Sequence, residues 1–232
     1  MTQPVAAQIK AVVFDAYATL FDVYCMESLA EEFFPGQGKA LTALWRQKQV
    51  EYTRIRSLCG QFIPFWDVTD DALVYAAQFL RLDMSDDQHH RLMNQYACLH
   101  PFPEVLAALE AVKAMGLPRV ILSNGTYPLL NIAVKYNAME SLFDTILSAD
   151  QVRRFKTAPE LYQLAVDTLG LPPREILFVS GNCWDACAAT WFGFTTFWIN
   201  RNDHPLERLG VSPTATGSSM TDMVAYLRNP AI

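Results

Sequence analysis

The chain is poor in the features that mark membrane, secreted or nucleic-acid-binding proteins. No apolar run approaches the length needed to span a bilayer. The opening MTQPVAAQIK has no apolar stretch before its lysine, which argues against a secretory signal. Basic residues are outnumbered, 18 Lys and Arg against 24 Asp and Glu, and the net charge of −6 leaves no basic stripe for nucleic acid or an anionic membrane. Cysteine is scarce and odd in number: Cys25, Cys59, Cys98, Cys183 and Cys187 have no paired short spacings, which argues against a disulfide framework or a zinc site and favours free thiols packed as small apolar groups. His89, His90, His100 and His204 show no metal-like spacing. There are no repeats and no low-complexity segment. Hydrophobic residues make up 51% and charged residues 18%, a globular composition. A soluble cytoplasmic protein is expected, built as one core domain with an insertion or as one large domain.

What is present alternates. Ile9–Phe14, Arg119–Leu122, Ile176–Val179 and Thr195–Ile199 are short apolar runs that read as buried strands. Helical patterns lie between them. Pro103–Met115 has apolar positions at Val105, Leu106, Leu109 and Val112 with Gly116 as a stop, and Pro159–Leu169 ends likewise at Gly170. Cys183 and Cys187 lie at the start of another helix. Strands alternating with helices predict a doubly wound parallel sheet, covered on both faces.

From about Asp22 to His100 the alternation stops and only helices are predicted. Lys39–Leu58 carries Leu41, Leu44, Trp45, Tyr52, Ile55 and Leu58 at helical spacing, and Asp70–Leu82 carries Leu73, Val74, Ala77 and Leu80. Ser85 and Gln88 form a capping-box pattern opening a third helix. A helical block inserted after the first strand would sit over the sheet's carboxyl edge as a cap. The expected division is a core of residues 1–20 and 101–232 and a cap of residues 21–100.

Polar residues follow the strands. Asp15 follows the first, Ser123 and Asn124 the second, and Ser180, Asn182 and Asp185 the third, while Lys156 precedes the helix at Pro159. In an open parallel sheet, ligands bind beyond the carboxyl ends of the strands. These residues should therefore converge, although 170 positions separate Asp15 from Asp185.

At these positions the chain resembles the haloacid dehalogenase superfamily, whose core is Rossmann-like. FDAYATLFDV resembles its first motif, with Asp15 as nucleophile; SNG at Ser123–Gly125 the second; Lys156 the third; SGNCWD at Ser180–Asp185 the fourth. LWRQKQVEYT, at Leu44–Thr53, resembles the cap helix of the L-2-haloacid dehalogenases, and with the tryptophan in SGNCWD it makes the likeness specific to that family. The resemblance spans residues 8 to 225.

It implies hydrolysis of short 2-haloalkanoic acids to 2-hydroxy acids, L-halo to D-hydroxy, through an aspartyl ester and without a cofactor or metal. Asp15 would attack C2. Arg46, with Asn124 and Trp184, would meet the departing halide, since guanidinium is always charged and weakly hydrated. Lys156, Ser123 and backbone N–H groups would hold the carboxylate. Asn182, Asp185 and Lys156 would position or activate the water, and Thr19 and Ser180 would support Asp15. Tyr17, Gln47, Val50, Phe65 and Trp184 would line the alkyl pocket. Tyr162 falls where the family has a tyrosine near the lysine; core packing is an equally good account of it. A homodimer is also implied.

Departures from the phosphatase branch carry chemical meaning. Tyr17 stands where phosphatases have a second aspartate to protonate a leaving alkoxide, which a halide does not need. Gly181 replaces one of the acidic pair that holds Mg²⁺. Against the dehalogenases, Ala18 replaces a usual glycine and Thr157 a common proline. If that glycine has positive φ, alanine costs roughly 1 kcal/mol; if not, its methyl narrows the site. The competing readings are a phosphatase or phosphonatase of the same superfamily, and a silent binding protein on the same fold.

Overall fold

The computed structural model describes residues 9–229. The reading of the N-terminus falls largely on residues 1–8 and lies outside the described residues. Six parallel strands form one sheet in the order β3-β2-β1-β4-β5-β6. They are β1 (Ala11–Phe14), β2 (Arg119–Ser123), β3 (Thr145–Ser148), β4 (Ile176–Ser180), β5 (Thr195–Ile199) and β6 (Ala215–Gly217). Strands β1, β2, β4 and β5 are buried at every residue, as expected for a parallel sheet covered on both sides.

Helices α1 (Met26–Phe33), α2 (Gly38–Cys59), α3 (Phe65–Phe79) and α4 (Asp86–Ala97) fill the chain between β1 and β2, ahead of α5 (Val105–Ala114). After β2 come α6 (Tyr127–Tyr136), α7 (Pro159–Leu169), α8 (Cys183–Phe192) and α9 (Met220–Arg228). Helix α5 packs on α9 and α7 on α8, so the two pairs cover the sheet while α6 touches β3 and α4. The Ser85–Gln88 capping box is formed. Gly116 and Gly170 take φ of +72° and +64°, the left-handed conformation that ends a helix. An antiparallel bridge between Phe21 and Pro101 draws together the two ends of the inserted block.

Five of these elements are not among those identified from the sequence: β3, β6, α1, α6 and α9. The edge strand β6 has only Ala-Thr-Gly and is half exposed. Helix α3 also begins at Phe65, earlier than the predicted Asp70, because Pro64 ends the extended segment before it. No helix among the described residues is long and apolar enough to cross a membrane.

Candidate active site

The strand order reverses between β1 and β4, the crevice where open parallel sheets bind ligands. Asp15 lies one residue beyond β1, and Ser180 ends β4. Four donors converge on the buried Asp15 carboxylate. Its Oδ2 accepts from Thr19 Oγ1 at 2.7 Å, Asn182 Nδ2 at 2.9 Å and Ser180 Oγ at 3.3 Å; its Oδ1 accepts from Lys156 Nζ at 2.8 Å. Thr19 Oγ1 in turn accepts from the Gly181 N–H at 2.8 Å, so the turns after β1 and β4 brace each other.

Lys156 is buried and also donates to Asp185 Oδ2 at 2.9 Å. Asp185, wholly buried, accepts from Ser180 Oγ at 3.0 Å and, through Oδ1, from Tyr162 OH at 2.7 Å. Burial alone would lower the Lys156 pKa, but the Asp15 and Asp185 charges outweigh it and raise the pKa. Asp185 is also raised, by burial first, with Asp15 adding to the effect and Lys156 opposing it. The two directions are compatible. Two carboxylates share one ammonium, so the cation is held firmly while the more deeply buried carboxylate binds a proton more readily than usual. Burial, then the neighbouring Asp185 charge, keeps Tyr162 protonated.

The loop carrying Lys156 is tied to the inserted helices. Ser57 of α2 accepts the Phe155 N–H on its Oγ at 2.8 Å and the Arg154 Nη1 on its carbonyl at 2.6 Å. Asn124 Oδ1 accepts the Lys156 N–H at 2.7 Å, and the Lys156–Thr157 peptide is cis.

Above Asp15, helix α2 presents Arg46. Its Nη2 lies 3.4 Å from Asn182 Oδ1, and its Nη1 donates to Gln49 Oε1 at 2.6 Å. A closed cavity of about 20 Å³ is lined by Asp15, Arg46, Asn124, Lys156, Asn182 and Trp184, with Tyr17, Gln49, Val50, Thr53 and Phe65 completing its wall. Arg46, Val50, Asn182 and Trp184 also line an outer cleft of about 740 Å³. Arg54 stacks over Trp184 at the threshold, 4.7 Å from the ring centre. Tyr17 stacks on Phe65, and burial holds its phenol well above the ordinary value.

A model of the haloacid dehalogenase-like hydrolases matches residues 9–193. The chain belongs to this hydrolase family. It is 41% identical to an (S)-2-haloacid dehalogenase of Pseudomonas putida, over 95% of this chain and 97% of that protein. The crystal structure of the L-2-haloacid dehalogenase RSc1362 matches with a TM-score of 0.93 and 54% identity, covering 95% of this chain and 99% of that one. The L-2-haloacid dehalogenase from Xanthobacter autotrophicus with chloropropionic acid covalently bound matches with a TM-score of 0.88 and 33% identity, over 96% and 100% of the two chains.

In this haloacid dehalogenase-like hydrolase, Asp15, Thr19, Lys156, Ser180, Asn182 and Asp185 meet in one hydrogen-bonded cluster, with Arg46, Tyr17, Asn124, Val50, Phe65 and Trp184 around the cavity. Three expected cavity residues lie elsewhere. Gln47 is exposed and lines the outer cleft, because it points one step around α2 from Arg46. Ser123 is buried below the cavity wall, its Oγ accepting the Gly125 N–H at 3.1 Å. Tyr162 is buried on Asp185, so it reaches the site through that carboxylate. Sequence reasoning missed Gln49 and Thr53, which share the cavity wall. The α-helical spacing of Arg46, Gln49, Val50 and Thr53 was the available signal.

Ala18 has φ of +64°, so the strained alternative holds. Arg201 braces this turn, donating to the carbonyls of Ala18 at 3.2 Å and Thr19 at 3.0 Å while pairing with Glu104 at 2.7 Å. Gly181 has a steric reason as well: a Cβ there would lie 2.1 Å from the Ala18 carbonyl oxygen. An acidic side chain at 181 would therefore require the nucleophile loop to move. Among the described residues no group of three His, Cys, Asp or Glu could hold a metal ion.

Proposed function

We propose that this protein hydrolyses short 2-haloalkanoic acids to 2-hydroxy acids, converting the L-halo acid to the D-hydroxy acid with inversion at C2. The observation that carries this reading is the asymmetric clamp on Asp15. Thr19 and Asn182 donate to Oδ2, Ser180 shares its one hydrogen between Oδ2 and Asp185, and Lys156 is the single partner of Oδ1 among the described residues, facing a cavity roofed by Arg46.

Oδ1 is the attacking atom. It forms a bond to C2 as the carbon–halogen bond breaks, and the halide leaves with the bonding pair toward Arg46, Asn124 and Trp184. No proton is required, which suits Tyr17 at the position of the phosphatase acid. Water then adds to Cγ of the Asp15 ester, and the developing charge falls on Oδ2. Thr19 and Asn182 already stand 2.7 and 2.9 Å from that oxygen, a preorganised oxyanion site. The Cγ–Oδ1 bond breaks and the hydroxy acid departs with the aspartate's oxygen. Lys156, beside Oδ1, stabilises the leaving alkoxide, which takes up one hydrogen of the added water while the other goes to a base. Asp185, with its raised proton affinity, receives the water's proton through the Ser180 hydroxyl, which lies between the two carboxylates. The substrate carboxylate is held by Lys156 and by the N–H groups of Ala16 and Tyr17, neither of which has a backbone acceptor among the described residues.

On this reading residues 21–100 are the cap and residues 1–20 and 101–232 the core, and the protein acts as a cytoplasmic homodimer by likeness to its family. Halide release from chloroacetate and L-2-chloropropionate, beside p-nitrophenyl phosphate, tests the activity; phosphate release without halide release overturns it. A single turnover in H₂¹⁸O with excess enzyme should label Asp15 and not the hydroxy acid, and should proceed undiminished in EDTA. Label in the first-turnover product sinks the ester.

A further inference from the structure

Gln49 is a buried polar residue in the apolar heart of the inserted helices, and its amide is fully committed. Nε2 donates to Thr69 Oγ1 at 2.8 Å and to Tyr96 OH at 3.1 Å, while Oε1 accepts from Arg46 Nη1 at 2.6 Å. The amide's orientation follows from its partners. The single Thr69 hydroxyl hydrogen goes to the Phe65 carbonyl at 2.8 Å, so Thr69 Oγ1 must accept, and the Gln49 nitrogen must face it. The oxygen is thereby turned toward Arg46. The rest of the frame is rigid. Trp45 Nε1 donates to the Thr69 carbonyl at 2.8 Å, and the Tyr96 ring packs against Trp45 and Tyr17 at centroid distances of 5.5 and 5.4 Å. The network joins α2, α3 and α4 behind one guanidinium.

A seam of apolar side chains throughout would pack these helices without the cost of burying an amide, a hydroxyl and a phenol. A satisfied buried network specifies geometry, and the group it specifies here is Arg46. We infer that Gln49 is a positioning residue that fixes the Arg46 guanidinium over the reacting carbon, and that its contribution lies in carbon–halogen cleavage and not in ester hydrolysis. This rests on the reading of Arg46 as the group that meets the departing halide.

The measurement is the single-turnover rate of ester formation with L-2-bromo- and L-2-chloropropionate, followed by the rate of ester hydrolysis. Gln49→Met keeps the length and removes the acceptor. Ester formation should slow roughly tenfold to a hundredfold. The loss should be greater for chloride, the poorer leaving group, so the bromide-to-chloride rate ratio rises. Hydrolysis of the preformed ester should be unchanged. Tyr96→Phe removes one partner of the amide and should shift the ratio in the same direction by less; it stands in if Gln49→Met fails to fold. Equal losses with both halides, or an equal loss in the hydrolysis step, overturn the inference, as does an unshifted ratio. Arg46→Lys in the same assay separates the two levels. If Arg46→Lys shifts the ratio and the Gln49 and Tyr96 variants do not, the positioning role alone falls. If Arg46→Lys leaves the ratio unmoved, the halide role of Arg46 falls with it.

Discussion

The floor and the roof of the cavity are built on opposite plans. The floor gathers Asp15, Lys156, Ser180, Asn182 and Asp185 from turns up to 170 positions apart, and every charged group there is buried and bonded to at least two others. The roof takes Arg46, Gln49, Val50 and Thr53 from a single helix, held by a lateral network within the inserted helices. Roof meets floor through Arg46 to Asn182 at 3.4 Å, through Arg54 stacked over Trp184, and through the Ser57 bonds to the loop that carries Lys156. The difference teaches a division of labour. Covalent chemistry needs atoms held to tenths of an ångström, which the ends of buried strands provide. Leaving-group and size selection need a surface whose residues can vary without disturbing the floor, which a separate helical block provides.

The sharpest way to break this comparison is Asp15→Asn. It removes the nucleophile and should lower halide release by roughly 10⁴-fold or more, with the fold intact. Initial-rate measurement on freshly prepared protein checks it, and a loss below tenfold would place the nucleophile elsewhere.

Lys156→Met should damage the floor as structure, not only as chemistry. Two buried carboxylates lose their shared cation, a cost of about 3–5 kcal/mol, read as a lowered denaturation midpoint. The pH sign separates this from ordinary loss of packing. The Lys156 pKa is raised in the fold, so its contribution is complete below the ordinary lysine range and fades only as pH climbs through the raised value. Wild-type stability should therefore show no loss from this group across neutral pH. The variant should instead recover part of its deficit on acidification, as the folded state takes up a proton on the abandoned carboxylates. A deficit independent of pH would contradict the shared-cation account.

On the roof, Arg46→Lys should cut turnover about a hundredfold while the denaturation midpoint barely moves, because lysine keeps the charge and loses the planar fork. Wild-type kcat in this variant would reduce Arg46 to a surface residue. The smallest effect belongs to the floor's one strained turn: Ala18→Gly should relieve a φ of +64° and raise stability by about 1 kcal/mol in chemical denaturation. An unchanged midpoint would mean that the Arg201 and Glu104 brace already offsets the strain.

Much of this was legible in the chain itself. Thr195–Ile199 and Pro159–Leu169 coincide with β5 and α7, because each carries an apolar period bounded by clear stops. Helix α1 and strand β6 went unread; the first is only eight residues long, and the second offers no β-branched run. The polar residues beyond each strand were visible as candidates because strand direction alone sends them to one edge of the sheet.

The sequence determined which groups the floor would contain, since a parallel sheet delivers the residue after each strand to the same crevice whatever lies between them. Through its resemblance to the superfamily, it also set Tyr17 and Gly181 at positions where the phosphatase branch is expected to carry acids. Only the tertiary structure decided that Gly181 is sterically required, because its neighbour, the Ala18 carbonyl, is 163 positions away in sequence and 2.1 Å from where a Cβ would lie. Only the tertiary structure placed Gln47 outside and Gln49 inside. Two glutamines two positions apart on a helix are chemically alike, and their fates diverge because they lie on nearly opposite faces of α2, one toward solvent and the other toward Thr69 and Tyr96.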